Sequence, residues 1–331
     1  MPGFPRLRDH YDFVILGGGH AGLQAGLKAA LLNYTAVVID RGPKFGRSYY
    51  SPRMDNIPGF PSGISGHKLL DLQVEALKAQ EAKVTYFTPA EGVEAVSKEG
   101  EYFVTFDWLK QRQVARGRVL ILALGVVDRI PEVGGAIDPI FPWANQGIVN
   151  FCVLCDGHEL PGKSVAVLGH DAFAVRTALD LRHFEPASLE VLTLGRPLLQ
   201  EEDPTTREEL TRELSAAGIN HYEAAVVGFD GIREKKFGVK FADGTLRQYD
   251  KGFSGLGWYD QHSQIPRSLG CAIDHEGYVV ADDDSRALAE GTRSPIPGLY
   301  CVGDLRTGWN QIPDAWATAE RAVIHAYASY L

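Results

Sequence analysis

The chain has 331 residues, 45% of them hydrophobic and 23% charged, which is enough for two domains of ordinary size, each with its own core. A formal net charge of −9 argues against nucleic acid as the main target, and no run approaches the ~18 apolar residues that a membrane span needs. The opening, Met1 to Arg8, lacks the apolar stretch of a secretory signal; a cytoplasmic setting is expected, where a disulfide is usually catalytic or transient.

Residues 12–16 read as a buried parallel strand that runs straight into Gly17-Gly18-Gly19-His20-Ala21-Gly22. Small and apolar positions follow for a helix packed on a sheet, and a second strand at 36–39 ends in Asp40, about 20 residues past the glycines. Strand, glycine turn, helix, strand and acid together make a βαβ dinucleotide site. The glycines let the backbone approach a pyrophosphate, and the helix N-terminus offers it free N–H groups. His20, inside this turn, is expected to contact cofactor or solvent.

The stretch from Arg41 to Gly66 is rich in Gly and Pro and reads as ligand-lining loops. Residues 69–81 have helical apolar spacing, 84–87, 93–97 and 102–108 alternate like an antiparallel excursion, and 119–124 form a buried strand ending at Gly125.

Cys152-Val153-Leu154-Cys155-Asp156-Gly157 stands just ahead of another apolar strand. Two thiols at this spacing can close a small disulfide ring, and the adjoining carboxylate of Asp156 is placed to trade a proton with a thiolate. The spacing also suits half of a zinc site or an inert structural pair. Zinc needs four ligands, however, and Cys271 and Cys301 stand alone, so no metal is expected. Those two thiols read as small core fillers.

A second βαβ unit follows, with a strand at 164–168, Gly169-His170-Asp171-Ala172-Phe173-Ala174, a helix at 175–183 and a strand at 189–194. As a phosphate cradle it is damaged. Asp171 holds the position of the second glycine, and a lone Arg196 follows the second strand where a 2′-phosphate would want a cluster. The chain then returns to its opening style at 253–257 and 296–304, and closes with a helix at 313–330 whose compact face is assigned to Ala315, Ala317, Ala319, Ala322 and Val323. The fold expected is α/β with two Rossmann-like, three-layer domains. A dinucleotide-binding domain, residues 1–125 and 250–331, is discontinuous, and residues 126–249 form a smaller inserted domain carrying the CxxC and the damaged second unit.

These residues resemble the low-molecular-weight thioredoxin reductases over nearly the whole chain: GGGHAG at 17–22, NIPGFPSGISG at 56–66, ALG at 123–125, CVLCDG at 152–157, GLG at 255–257 and IPGLYCVGD at 296–304, followed by Gln311. The resemblance implies a homodimeric FAD enzyme acting on thioredoxin, with FAD bound by the domain of residues 1–125 and 250–331 and a degenerate NADPH-like fold in residues 126–249. It implies that Gly17, Gly19, Gly22 and Asp40 hold the ADP part of the cofactor, that Arg41 and Arg47 lie in the loop wrapping it, and that Asn56, Gly303, Asp304 and Gln311 serve the flavin side. Cys155 would face the flavin, Cys152 would attack the partner disulfide, and Asp156 would protonate the departing thiolate.

The departures from the family are informative. NADPH-driven members keep an intact GxGxxA and an arginine-rich signature in the central domain, whereas this chain has GHDAFA at 169–174 and a single Arg196. The leading reading is a reductase resembling the ferredoxin-dependent flavin thioredoxin reductases, with Arg47, Arg53 and Arg306 as a basic patch for an acidic donor. The alternatives are a diflavin enzyme with a second FAD in the vacated site and an oxygen-dependent dithiol oxidase. A flavin-binding scaffold that has lost catalysis would have no need of the Asp in CxxCD.

Overall fold

The computed structural model describes residues 5–330. The chain divides into two compact units, one made of residues up to Tyr49 with Gly66–Val127 and Asp260–Leu331, the other of Tyr50–Ser65 with Asp128–Tyr259. No helix among the described residues is long and apolar enough to cross a membrane.

The first unit is built on an eight-stranded sheet. Its parallel centre runs Pro295–Cys301, Gln111–Leu122, Tyr11–Leu16, Ala36–Ile39, Val84–Phe87. The strand Ala36–Ile39 is buried at every position and Tyr11–Leu16 at all but one, as a parallel sheet covered on both faces requires. One face carries the helices His20–Leu31, Gly66–Lys78 and Ile312–Tyr330. Alanine and glycine let these backbones approach closely: a Cβ on Gly26 would stand 3.0 Å from both Leu77 and Val38. In the last helix the buried positions are Ala315, Thr318, Ala319, Ala322, Val323 and Ala326. Ala317, assigned to that face from its spacing, is exposed; Ala326 lies at the helical repeat instead.

The other face is covered mainly by antiparallel strands, with the short helix Gln264–Ser268 beside them. Glu91–Lys98 pairs with Glu101–Trp108, which pairs with the first half of Gln111–Leu122, and Phe87, Val104 and Phe106 pack beneath them with Val279 and Ala287. One long strand thus serves first the hairpin and then the parallel sheet. Its exposed Arg112, Val114, Arg116 and Arg118 interrupt any apolar run, so the periodicity reveals only its buried end.

The second unit has a five-stranded parallel sheet ordered Asn220–Tyr222, Ser188–Leu192, Ser164–Leu168, Lys251–Ser254, Val149–Asn150. Helices Ala172–Leu181 and Pro204–Ala216 cover one face, and the three-stranded meander Val226–Asp230, Phe237–Phe241, Leu246–Tyr249 covers the other. Two Rossmann-like sheets are therefore present, each the middle of three layers, with antiparallel strands forming the third layer in both. The strand Lys251–Ser254, which the sequence assigns to the outer domain beginning at 250, hydrogen-bonds between two strands of this second sheet.

Candidate functional site

In the first unit the glycine turn is dictated by close backbone approach. Gly17 has φ +105°, and a Cβ there would fall inside the contact shell of the Ala123 carbonyl; one on Gly22 would do the same to the Gly17 carbonyl oxygen. Gly19 differs: a Cβ on it would meet nothing within 4 Å. It is the N-cap of His20–Leu31 and supplies no side-chain cap. The turn therefore presents an open face at the start of a twelve-residue helix, the shape that a dinucleotide's phosphates fit.

Asp40 is 9% exposed and accepts hydrogen bonds from the Gly18 N–H (2.9 Å), the Gly42 N–H (3.0 Å) and the Tyr86 hydroxyl (3.1 Å). It locks the turn on both sides. Burial, then the charge of Asp40, keep the Tyr86 hydroxyl protonated well above the ordinary tyrosine range. Arg41 is exposed and stacks 4.1 Å over the Phe45 ring. Arg47 pairs with Asp304 at 2.8 Å, both side chains 21% exposed. Gly303 has φ +65°, and its N–H is held by Thr318 Oγ1 at 3.0 Å. Gln311 donates to the Asn310 carbonyl at 3.3 Å.

Gly17, Gly19, Gly22 and Asp40 are thus gathered on one strand–turn–helix–strand unit, and Arg47 and Asp304 meet across 257 residues of sequence. Asn56 is exposed within Tyr50–Ser65, which packs with the second unit. His20, expected against cofactor or solvent, bonds Gln73 through Nδ1 and Ser48 Oγ through Nε2 (2.7 Å). It is buried, and burial lowers its proton affinity, so it ties helix to helix and loop. The suggested basic patch is also internally engaged, with Arg47 on Asp304, Arg53 on Asp55 and Arg306 on Ser285 Oγ (3.0 Å). Cys271 and Cys301 are buried free thiols; burial pushes the first up to about 12 and the second well above the ordinary thiol range, which leaves both inert.

In the second unit Cys152 and Cys155 are joined by a disulfide, their Cα atoms 5.2 Å apart. Cys152 is extended, and its sulfur accepts the Cys155 N–H at 3.1 Å as N-cap of the turn Val153–Asp156. Leu154, between the two cysteines, is 63% exposed, so the loop's tip faces solvent. Gly157 lies beneath the Phe184 ring, which leaves no room for a Cβ.

Asp156 is pushed up to about 7, by burial first and the Glu159 charge second, with Asp55 adding and Lys251 and His158 opposing. A carboxyl in this state carries a proton near neutrality and can release it, as an acid for a leaving thiolate must. Around it Lys251 pairs with Glu159, and His158 Nε2 lies 3.3 Å from Asp55 Oδ2. Ligand atoms of Asp55, His158 and Glu159 all lie within 4.8 Å of one another. Both carboxylates already hold a cation, Arg53 on Asp55 and Lys251 on Glu159, so the cluster is an ion-pair network.

The second βαβ turn is occupied from within. Asp171 caps the helix Ala172–Leu181, its Oδ1 accepting the Ala174 N–H at 3.1 Å, and Glu202 Oε1 accepts the Ala172 N–H at 2.9 Å. Two of the donors that a phosphate would use are therefore bound to carboxylates. Glu202, 30 residues away in sequence, had no local signature that could reveal it. Arg196 is exposed, 3.5 Å from Glu201 and 3.3 Å from His170 Nε2. Asp171→Ala should lower stability by about 1 kcal/mol through loss of the cap, read as an earlier midpoint in urea unfolding. An unchanged midpoint would mean that the helix start is satisfied otherwise.

Comparison with known proteins gives a consistent result. Residues 11–322 match the family model described as pyridine nucleotide-disulphide oxidoreductase. The chain is 25% identical over 323 residues to a thioredoxin reductase of Treponema pallidum, covering 97% of both. It is 30% identical over 158 residues to a thioredoxin reductase of Borreliella burgdorferi, a match spanning 48% of this chain and 45% of that protein's length. The crystal structure of a thioredoxin reductase from Streptococcus pyogenes superposes with a TM-score of 0.76 at 21% identity, covering 96% of this chain and 97% of that one, a likeness of fold.

Proposed function

This chain belongs to the pyridine nucleotide-disulphide oxidoreductase family, in its low-molecular-weight thioredoxin reductase group, and from that premise we propose that it reduces thioredoxin with electrons from reduced ferredoxin rather than NADPH. The family contains FAD. In our reading Gly17, Gly19, Gly22, Asp40 and Arg41 hold its ADP half. Arg47, Asn56, Gly303, Asp304 and Gln311 serve the flavin half, in a homodimer. Reducing one disulfide takes two electrons, and bound flavin supplies the store that lets a one-electron donor deliver them in turn.

The chain's own residues do the exchange. Cys152 thiolate attacks one sulfur of the partner disulfide, the other sulfur departs as a thiolate, and Asp156 gives it a proton. Cys155 then attacks Cys152, releasing the second partner thiol and closing Cys152–Cys155. The partner disulfide gains two electrons and the enzyme dithiol loses them.

The observation that carries the donor assignment is the pair of carboxylates on the second helix N-terminus, Asp171 on the Ala174 N–H and Glu202 on the Ala172 N–H. A pyrophosphate there would have to displace both and sit beside their charges. Each charge-assisted hydrogen bond it forgoes is worth about 1.5–3 kcal/mol, so losing two weakens NADPH by roughly two orders of magnitude or more.

The test is anaerobic mixing of the flavin-loaded enzyme with each donor while the flavin absorbance is followed. NADPH should leave the colour unchanged on the timescale of turnover, while reduced ferredoxin bleaches it and yields new thiols on thioredoxin. Rapid bleaching by NADPH overturns the proposal. Two flavins per chain would favour the diflavin alternative, and oxygen consumption with a small dithiol the oxidase.

A further inference from the structure

Asp156 is surrounded by charged side chains from three parts of the second unit. Glu159 and His158 come from the turn Gly157–Glu159 directly after it, Lys251 from the strand Lys251–Ser254, and Asp55 from the segment Tyr50–Ser65. These groups are paired with one another. Lys251 Nζ is bound by the Glu159 carboxylate and by the Gly147 carbonyl, and its side chain is only 12% exposed. His158 sits 3.3 Å from Asp55, which Arg53 holds at 2.8 Å.

We propose that Glu159 is a positioning residue that keeps Lys251 away from Asp156, so that Asp156 retains the proton it delivers during disulfide exchange; this rests on the reading of Asp156 as the acid. The physical argument concerns what Lys251 does otherwise. An ammonium held this deep seeks a carboxylate. Bound to Glu159, it presents Asp156 with a nearly neutral pair, and burial then favours the protonated acid. Released from Glu159, it would pair with Asp156 and hold it as a carboxylate with no proton to give. The residues Asp-Gly-His-Glu at 156–159 put the device on the turn that carries the acid.

The test reaction is reduction of the Cys152–Cys155 disulfide in the flavin-loaded enzyme by dithiothreitol. A dithiothreitol thiolate attacks Cys152 Sγ, the Cys152–Cys155 bond breaks, and Cys155 leaves as a thiolate that takes the Asp156 proton. The second dithiothreitol thiol, losing its proton to water, displaces Cys152, which is protonated from water. Dithiothreitol ends as its cyclic disulfide, with two electrons moved to the enzyme. Rates are read by quenching with an alkylating agent and weighing the protein, from pH 5.5 to pH 9. Dividing each rate, wild type included, by that of dithiothreitol on glutathione disulfide at the same pH cancels the titration of the reagent and leaves the limb that belongs to the enzyme.

Glu159→Gln should move the alkaline limb about one pH unit toward acid, Lys251→Met should move it toward alkali by a similar amount, and Lys251→Arg should restore the wild-type profile. Asp156→Asn should lose the limb. If Asp156→Asn loses the limb but Glu159→Gln leaves it in place, or shifts it the same way as Lys251→Met, the positioning role is wrong and the acid assignment stands. If Asp156→Asn keeps the limb, the acid assignment is wrong and the inference goes with it.

Discussion

Cys152→Ser should yield no thiols on a disulfide substrate above background, while the protein keeps its fold and its flavin. Serine at 152 cannot form the mixed disulfide, and Cys155, left without its partner, has no second thiol with which to resolve one and release the product. Cys271 and Cys301 are buried in the first unit with their ionisation suppressed. The decisive measurement is thiol release with a flavin-to-protein absorbance ratio taken on the same sample. Undiminished thiols would remove Cys152 from the mechanism. Asp156→Asn should behave differently. Its exchange rate should fall by about 10²–10⁴-fold, the usual worth of a positioned acid, without vanishing. The wild-type acid is pushed up to about 7, so the neutral form is present below that pH and is lost as pH rises through it. The wild-type rate should therefore decline on the alkaline side, and the asparagine variant, slow throughout, should lack that decline.

Gly22→Ala should remove the flavin and destabilise the first unit by about 3 kcal/mol or more. The clash is with the backbone carbonyl of Gly17, which is fixed in turn against Ala123. No side chain can swing aside to relieve it, so strand and helix would have to separate. Gly19→Ala provides the contrast, because Gly19 has φ −74° and open space around its Cβ direction. Its apoprotein should melt with wild type, yet retain flavin less well, because the methyl stands on the face of the turn that the cofactor approaches. Melting of the two apoproteins and flavin retention through gel filtration separate the effects. If Gly19→Ala keeps its flavin as tightly as wild type, the cofactor does not lie against that face.

The two glycines show why the opening motif was readable. Gly22 is required by its approach to the Gly17 carbonyl five positions earlier, and Gly17 by its φ of +105° as well as by the Ala123 carbonyl on a distant strand; the local part of these demands leaves a fixed spacing in the sequence. The CxxCDG stretch was readable for the same reason, since a disulfide between residues three apart is a local closure. The network that tunes Asp156 was not readable. Asp55 lies 103 positions from His158, and Lys251 lies 92 from Glu159. Nothing near His158 in the chain points to Asp55, and Lys251 sits in a strand whose pattern reports burial and nothing of its charge partner. The second nucleotide turn was half readable. Asp171 stood out as a lost glycine, but its carboxylate folds back onto its own helix as a cap, and the companion Glu202 comes from a loop 30 residues beyond the Ala172 it binds.

By itself, the sequence determined the two parallel sheets, the glycine turn of the first, the redox pair with its neighbouring acid and the damage to the second turn. Each depends on backbone periodicity or on contacts between residues close along the chain. The tertiary structure alone decided that antiparallel strands form the third layer of each unit, that Arg47 meets Asp304, that Glu202 fills the second helix N-terminus and that Glu159 restrains Lys251. Those pairings arise where the chain returns on itself through a sheet, and a charge's partner is then chosen by proximity in space, which sequence separation does not encode.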